Sequence, residues 1–350
     1  MALHNTATPE YSRYSEIIDV RSPGEFAEDR VPGAINLPVL DNEERSRVGT
    51  IYKQESPFAA RKMGAALISR HIADYLDDYF WDKDKDYHPL LYCWRGGTRS
   101  HSLALILAQI GWQVTVITGG YKTYRTQVRQ QLTQLPGQFQ YRLVRGLTGV
   151  GKTAILQHLA RQGEQVIDLE AIANHRGSLL GQPEDNTPQP PQKWFESLLL
   201  QKFQSFQQSK TIWLEAESST IGKLHIPAQL WHEMKTAPSV QLHLPLEMRV
   251  THLLQQYQDL IEHPDRLKQQ LYRLKYRYGQ VQVQQWYDLI DREQWRELVS
   301  DLLTHHYDRA YHRSLQHQTP PHYEFTLTNL SEAALRTAAR SLRDWATAGC

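Results

Sequence analysis

Cysteine is scarce in this chain: its 350 residues hold two, Cys93 and Cys350. No disulfide framework follows from that pair, and the cytoplasm is the expected compartment. Long apolar runs are also missing. The longest fall far short of a membrane span, so no membrane segment is expected. Met1 to Tyr14 is polar and lacks the apolar stretch of a secretory signal. Nor is there an excess of charge. With 39 Lys and Arg against 38 Asp and Glu the net charge is +1, which excludes a globally basic nucleic-acid binder but leaves local basic patches open. What is present suffices for real cores: 40% of residues are hydrophobic, and the length favours two domains.

The first chemical signal is Cys93-Trp94-Arg95-Gly96-Gly97-Thr98-Arg99-Ser100. The apolar run Pro89–Tyr92 before it reads as a buried strand, and His101 to Ile110 after it as a helix. Strand, tight loop and helix present a cysteine at a helix N-terminus, where loop N–H groups and the helix dipole favour a thiolate. Arg95 and Arg99 add positive charge for an anionic substrate. The alternative, a buried inert thiol, is the ordinary state of a free cysteine; two arginines and two glycines around it argue for a reactive one. The spacing Cys-x5-Arg-Ser also fits the loop of cysteine phosphatases. Both chemistries set a thiolate against an oxyanion, so the loop alone does not choose between them. A phosphatase would need a general acid as well, for which only Asp19 or Asp82 could be suggested.

Upstream, Glu16 to Val20 reads as a strand, Arg21 to Phe26 as a turn and helix start, and Val31 to Pro38 as a second strand between proline stops. The D-V-R-x-x-x-E-F turn at Asp19, the P-G-A-x-N-x-P strand and the cysteine loop resemble the rhodanese family. That resemblance implies a persulfide-type chalcogen carrier on the cysteine. Gln113 to Thr118 reads as another strand, and Gly119-Gly120-Tyr121 opens a helix as in that family. Between Pro38 and Pro89 lies a long connection, about residues 40–88. Ala59, Met63, Ala66, Leu67 and Ile68 recur near helical spacing in it, and Arg45, Arg47, Lys53, Arg61 and Lys62 make it basic. Solvated insertion and substrate-facing surface are equally open readings.

Leu132 to Gln140 reads as a linker, which divides the chain into domains 1–133 and 134–350. A strand, Phe139 to Val144, then leads to Gly146-Leu147-Thr148-Gly149-Val150-Gly151-Lys152-Thr153 and a helix, Ala154 to Arg161. This is the full P-loop pattern in its proper context. Backbone N–H groups around Gly146, Thr148, Gly149 and Gly151 would cradle phosphate oxygens, Lys152 would reach the outer phosphate, and Thr153 could hold Mg²⁺. Further strands are expected at 164–168, ending on Asp168, at 211–215, ending on Glu215, and at 239–244. Asp168, Glu215 and Glu217 are the candidate acids or metal ligands; a surface strand end is the plainer reading of the last two. His175-Arg176-Gly177-Ser178 offers Arg176 and Ser178 beside the phosphates, and Pro183 to Pro191 reads as an exposed loop. From about 246 to 318 the chain is expected to be helical and basic. One helix, Arg266 to Tyr278, would bury Leu267, Leu271, Leu274 and Tyr278. It would carry Arg266, Lys268, Arg273, Lys275 and Arg277 with Tyr272 and Tyr276 interleaved, fitting either a phosphate backbone or a solvated surface. Strand 323–327 and helix 331–345 close the chain.

A rhodanese-like half followed by a P-loop half, with the motifs at Asp19, Val31, Arg45 to Lys53, Cys93, Gly146, His175 and Glu215 in this order, resembles the tRNA 2-selenouridine synthase family. In the E-x-E-S segment Ala216 separates the glutamates. The resemblance implies a transferase that modifies the wobble 2-thiouridine of tRNAs for Lys, Glu and Gln, contacting the anticodon arm. Geranyl diphosphate would alkylate the sulfur, and selenium from selenophosphate would then replace S-geranyl. Cys93 would carry selenium as a selenopersulfide, Arg95 and Arg99 would hold phosphate, and Lys152 with the loop amides the diphosphate. Arg45, Arg47, Lys53, Arg266, Arg273, Lys275 and Arg277 would hold tRNA. No tightly bound cofactor is implied; Mg²⁺ is a candidate ion, a selenophosphate-producing enzyme a candidate partner, and a monomer the expected state. His305, His306 and His312 meet no zinc spacing and read as surface or tRNA-side residues. The rival is a rhodanese–kinase fusion acting on small molecules, a sulfur carrier or cysteine phosphatase joined to an ATP-dependent phosphotransferase.

Overall fold

A computed structural model describes residues 3–176, 187–216, 218–315 and 320–347. The chain is α/β and divides into two compact units, residues 1–132 with 191–201 and residues 133–190 with 202–350. The second stretch of the first unit was not legible in the sequence, because nothing local marks 191–201 as belonging with an element far upstream.

In the first unit the elements are β1 (Leu3–Thr6), β2 (Glu16–Asp19), α1 (Pro23–Glu28), β3 (Ile35–Asn36), α2 (Asn42–Gln54), α3 (Pro57–Asp78), β4 (Pro89–Tyr92), α4 (Thr98–Ile110), β5 (Val114–Ile117) and α5 (Gly120–Gln134). The strands form one parallel sheet in the order β1-β5-β4-β2-β3. Every residue of β4 and β5 is buried, which is why β4 reads as an unbroken apolar run; Thr115 interrupts that run in β5. The second expected strand shrinks to two residues. Val31 instead begins a turn closed by the Ala34 N–H on its carbonyl at 3.0 Å, and only Ile35 and Asn36 reach β2. The basic insertion is a helical pair, α2 capped by Asp41 and α3 by Ser56. Its buried face is Ala60, Gly64, Ile68 and Ile72. Ala66 is exposed, since the true stripe runs one position off the expected one. The expected linker is ordered: α5 continues to Gln134 and a tight helical turn, Pro136–Gln138, follows.

The second unit contains β6 (Tyr141–Gly146), α6 (Lys152–Arg161), β7 (Gln165–Ile167) and α7 (Leu169–Ile172), then the end of α8 (Gln192–Gln204), whose residues 192–201 belong to the first unit. There follow β8 (Ile212–Glu215), β9 (Thr220–Ile221), β10 (Leu224–His225), α9 (Ala228–Thr236), β11 (Ser239–His243), α10 (Leu246–Gln256), α11 (Gln258–Glu262), α12 (Pro264–Tyr272), α13 (Lys275–Asp291), α14 (Trp295–Leu302), α15 (Asp308–Leu315), β12 (Tyr323–Thr326) and α16 (Glu332–Thr347). The sheet is parallel, ordered β12-β11-β6-β8-β7, with β9 and β10 as a separate antiparallel pair. Helices α6 and α16 supply Ile155, Leu159, Leu335 and Leu342 to its core, together with Trp213 of β8.

Two helical expectations need correction. Arg266 to Tyr278 is not one helix: α12 ends at Tyr272, short i→i+3 bonds close the chain at Arg273 and Leu274, and α13 is itself kinked at Gly279, whose φ is +79°. The apolar positions still do their work, because Leu267, Leu271 and Leu274 pack with Trp286 in the core of the helical part. His306 is not a surface residue. It is buried, 3.0 Å from the Tyr278 hydroxyl, and burial with the nearby Arg277 charge lowers its pKa.

Trp213 is fully buried in the core of the second sheet. Trp213→Ala is expected to cost about 3–5 kcal/mol through lost burial and the cavity left behind. Denaturant unfolding measures this; a loss below about 1 kcal/mol would show that this core tolerates the void.

Candidate active site

Each unit carries a loop at the carboxyl ends of its parallel strands, the usual place for ligands in open α/β sheets. In the first, β4 ends at Tyr92 and delivers Cys93, which is 3% exposed. The Gly97 N–H and the Ser100 hydroxyl both point at its sulfur, each at 3.3 Å. Two donors aimed at one sulfur suit a thiolate or an anion bound there. The loop is pinned from behind: the Tyr121 N–H reaches the Cys93 carbonyl at 2.8 Å and the Lys122 N–H reaches Trp94 at 3.1 Å. Gly120 makes this approach feasible. A Cβ there would lie 2.1 Å from the Cys93 carbonyl oxygen, and its φ is +59°.

The two loop arginines are placed differently. Arg95 is exposed and lines an open depression with Gly119, Lys122 and Thr123. Arg99 is tied to Glu25 of the D-V-R-S-P-G-E-F turn, at 2.7 and 3.4 Å. Arg45 of α2 approaches the same carboxylate at 4.0 Å, so the turn, the cysteine loop and the insertion meet at Glu25. Burial would raise the Glu25 carboxyl, but the Arg99 hydrogen bond and charge, helped by the Ser22 N–H and Arg45, hold it below its ordinary 4.5. Arg47 and Lys53 are exposed on α2.

Of the groups beneath the loop, sequence reasoning singled out only Asp19, as a possible general acid. Arg21 is buried, and its guanidinium grips Asp19 at 2.6–3.0 Å, donates to the Asp29 carbonyl at 2.6 Å and lies 4.0 Å over the Tyr121 ring. Asp29 accepts from the Tyr121 and Ser197 hydroxyls, each at 2.8 Å, and burial raises its pKa against those bonds. The turn motif contained the signal for Arg21; Ser197 had none.

In the second unit β6 runs into the P-loop and α6 starts at Lys152. Gly149 sits at φ +84°, and a Cβ there would press on Leu253 at 3.0 Å. Register pairs Val144 with Glu215, which brings the acid of β8 beside the loop. Glu215 is buried and holds Lys152 Nζ at 3.1 Å and the Thr153 hydroxyl at 3.4 Å; Lys152 also reaches the Gly146 carbonyl at 3.2 Å. The Thr153 hydroxyl and Glu215 carboxylate are hard oxygen donors of the type Mg²⁺ takes with phosphates, so these two residues fit that ion and would hold it. Among the described residues no group of three or more His, Cys, Asp or Glu could hold a metal. Asp168 caps α7 through the Ala171 N–H at 2.9 Å. Arg176 lies 5.0 Å over the Tyr257 ring and 3.7 Å from Asp259. Ser178 and Glu217 lie outside the described residues.

Further groups the sequence did not reveal brace this loop. Buried Arg249 of α10 donates to the Thr148 carbonyl at 2.8 Å and pairs with Asp308 at 2.6 and 3.0 Å. The Tyr311 hydroxyl donates to Gln241 at 3.0 Å; burial raises its pKa, while the Lys152 charge opposes that. Of the basic helical residues, Arg273 and Arg277 are exposed beside Tyr276, which is 97% exposed, whereas Arg266 and Lys275 are half-buried.

Residues 139–334 match the family model of the tRNA 2-selenouridine synthase AAA domain, and residues 4–127 match that of the rhodanese-like domain. The chain belongs to the tRNA 2-selenouridine synthase family. Its similarity to the tRNA 2-selenouridine synthase of Sulfurovum sp. (strain NBC37-1) is 38% identity over 248 residues, 69% of this chain and 65% of that one. With the protein of the same name from Nitrosomonas europaea it is 35% over 246 residues, 69% and 63%. The chain thus spans less than two thirds of the length of these two relatives. With that of Shewanella denitrificans it is 34% over 325 residues, 84% and 87%. Among the described residues no helix is long and apolar enough to cross a membrane.

The Glu25 pair gives a pH signature. Because the folded-state pKa lies below the ordinary value, its stabilisation is complete above about pH 4.5 and is lost as pH falls through the lower folded value. Wild type should exceed Glu25→Gln in stability by about 1–2 kcal/mol at pH 7. That gap should be narrower at a pH below 4.5 than at pH 7. Thermal unfolding of both proteins at the two pH values measures it, and a gap independent of pH would refute the assignment.

Proposed function

We propose that this protein is a tRNA-modifying transferase that converts wobble 2-thiouridine to 2-selenouridine in tRNAs for Lys, Glu and Gln. The observation that carries the reading is the pairing, in one chain of this family, of a donor-lined cysteine loop with a P-loop whose lysine and threonine share one buried acid. In the first step the thiocarbonyl sulfur attacks C1 of geranyl diphosphate. The S–C bond forms, the C–O bond breaks, diphosphate departs, and the base loses its N3 proton. Lys152 and the loop amides stabilise the departing diphosphate, which is where negative charge accumulates. In the second step selenium from selenophosphate bonds to C2 and geranyl thiol leaves. Water cleaves the Se–P bond to give phosphate. Cys93 serves the selenium step, with exposed Arg95 available to the phosphate.

Alkylation turns a poor sulfur leaving group into a thiol, which explains why the two loops belong together. The anticodon arm would meet exposed Arg45, Arg47, Lys53, Arg273 and Arg277, with Tyr276 as a stacking surface, so binding should weaken steeply with salt. A cytoplasmic monomer supplied by a selenophosphate-producing enzyme completes the reading.

The test is nucleoside mass spectrometry of 2-thiouridine tRNA incubated with geranyl diphosphate and selenophosphate. Wild type should yield selenouridine, and Cys93→Ala should accumulate the geranylated base. Lys152→Ala should form either product about a hundredfold more slowly. Unmodified tRNA in every sample, with ATP consumed instead, would overturn the reading in favour of a small-molecule kinase fusion.

A further inference from the structure

The helical pair inserted in the first unit separates its charges along its length. Across residues 45–70 it carries Arg45, Arg47, Lys53, Arg61, Lys62 and Arg70 against a single acid, Glu55. The other acids, Glu43 and Glu44 of α2 and Asp74, Asp77 and Asp78 of α3, gather at the opposite end, where Glu44 meets His71 at 2.7 Å. The basic end holds the turn between the helices, and exposed rings stand on both sides of it: Tyr52, 53% exposed, and Phe58, with Lys62 5.1 Å from its ring centre.

One face of α2 ties this end to the cysteine loop. Arg45, Gly49 and Tyr52 recur at i, i+4 and i+7 and form a row about 10 Å long, with Lys53 at its flank. The row begins at Arg45, which is more than half exposed and approaches the Glu25 carboxylate that also holds Arg99. It ends on the Tyr52 ring. Between them stands a glycine inside a helix, a choice that weakens the helix relative to alanine. The fold gains nothing visible from it: a Cβ at Gly49 would meet no atom within 4 Å, and its backbone is not in the left-handed region. What a bare stretch of backbone permits is the close approach of another molecule. A cation, an open backbone and an exposed ring in one row suit an unpaired nucleotide strand, which offers a phosphate, a sugar chain and a base face in turn. A paired strand keeps its base faces inside the duplex.

We infer that this row is a docking strip for an unpaired stretch of the substrate RNA, with a base stacked on Tyr52 and the strand passing Gly49 toward the Cys93 loop. The inference rests on the tRNA reading given above. It goes further in naming two uncharged residues, Gly49 and Tyr52, as determinants of RNA binding.

Fluorescence anisotropy of the full chain with a labelled tRNA for Lys tests it, with thermal unfolding of each variant alongside. Tyr52→Ala should weaken binding about tenfold, and Tyr52→Phe, which keeps the ring, should bind like wild type. Gly49→Leu should also bind at least about tenfold more weakly, yet melt at or above the wild-type temperature, because leucine is the better helix former. Wild-type affinity in Tyr52→Ala or in Gly49→Leu would overturn this inference alone. So would a Gly49→Leu protein that melts below wild type, since the glycine would then serve the fold. Wild type that fails to bind tRNA would sink the tRNA reading and this inference with it.

Discussion

A guanidinium with almost no access to water, that of Arg21, holds the cysteine loop in place. Burial works against its charge. The Asp19 hydrogen bonds and charge more than compensate, so Arg21 keeps its proton more firmly than an ordinary arginine. A buried pair of this kind adds little net stability compared with apolar residues, but losing one partner strands the other charge at a cost of about 3–5 kcal/mol. Its value here is geometric. Arg21 fastens the end of β2 to the Asp29 carbonyl and supports the Tyr121 ring, and the Tyr121 backbone in turn fixes the Cys93 carbonyl. The sulfur position thus depends on a charge pair that never touches it.

The second unit repeats this solution with different parts. Arg249, buried on α10, is held by Asp308 and donates to the Thr148 carbonyl, so one face of the P-loop is locked from the helical part. A phosphate cradle needs its N–H groups directed outward, and a carbonyl turned inward toward a fixed donor supports that orientation. The helical region is therefore part of the site as well as a carrier of surface charge. It braces the loop through Arg249 and packs Leu253 against Gly149.

What could be read in the sequence follows from distance along the chain. The two loops were legible because glycine placement, a following helix and nearby arginines are local features. The α/β class was legible because buried parallel strands leave unbroken apolar runs such as Pro89–Tyr92. Arg249, Asp308 and Tyr311 left no such trace, since each reaches its partner across a long stretch of chain. The break after Tyr272 was hidden for another reason. Leu267, Leu271 and Leu274 keep a helical spacing that satisfies the core whether or not the backbone stays helical between them. Periodicity records which residues must be buried, and it tolerates a break that leaves them so. Arg99 was legible as a loop cation, but its tie to Glu25 depended on the distant turn.

Lys152 sets a last constraint on any ligand of the P-loop. Its ammonium already has the Glu215 carboxylate and the Gly146 carbonyl as partners. A phosphate that binds there exchanges these contacts for new ones, so the head group gains only the difference between two sets of charge-assisted hydrogen bonds. A nucleotide offsets such an exchange with base and ribose contacts, and a prenyl diphosphate has none to offer. For the proposed substrate the surplus must therefore come from carbon removed from water. Glu215 also gains a consistent role. While Lys152 is unliganded it neutralises a largely buried cation, and when a diphosphate takes the lysine it is left beside Thr153, where a cation would be the natural replacement.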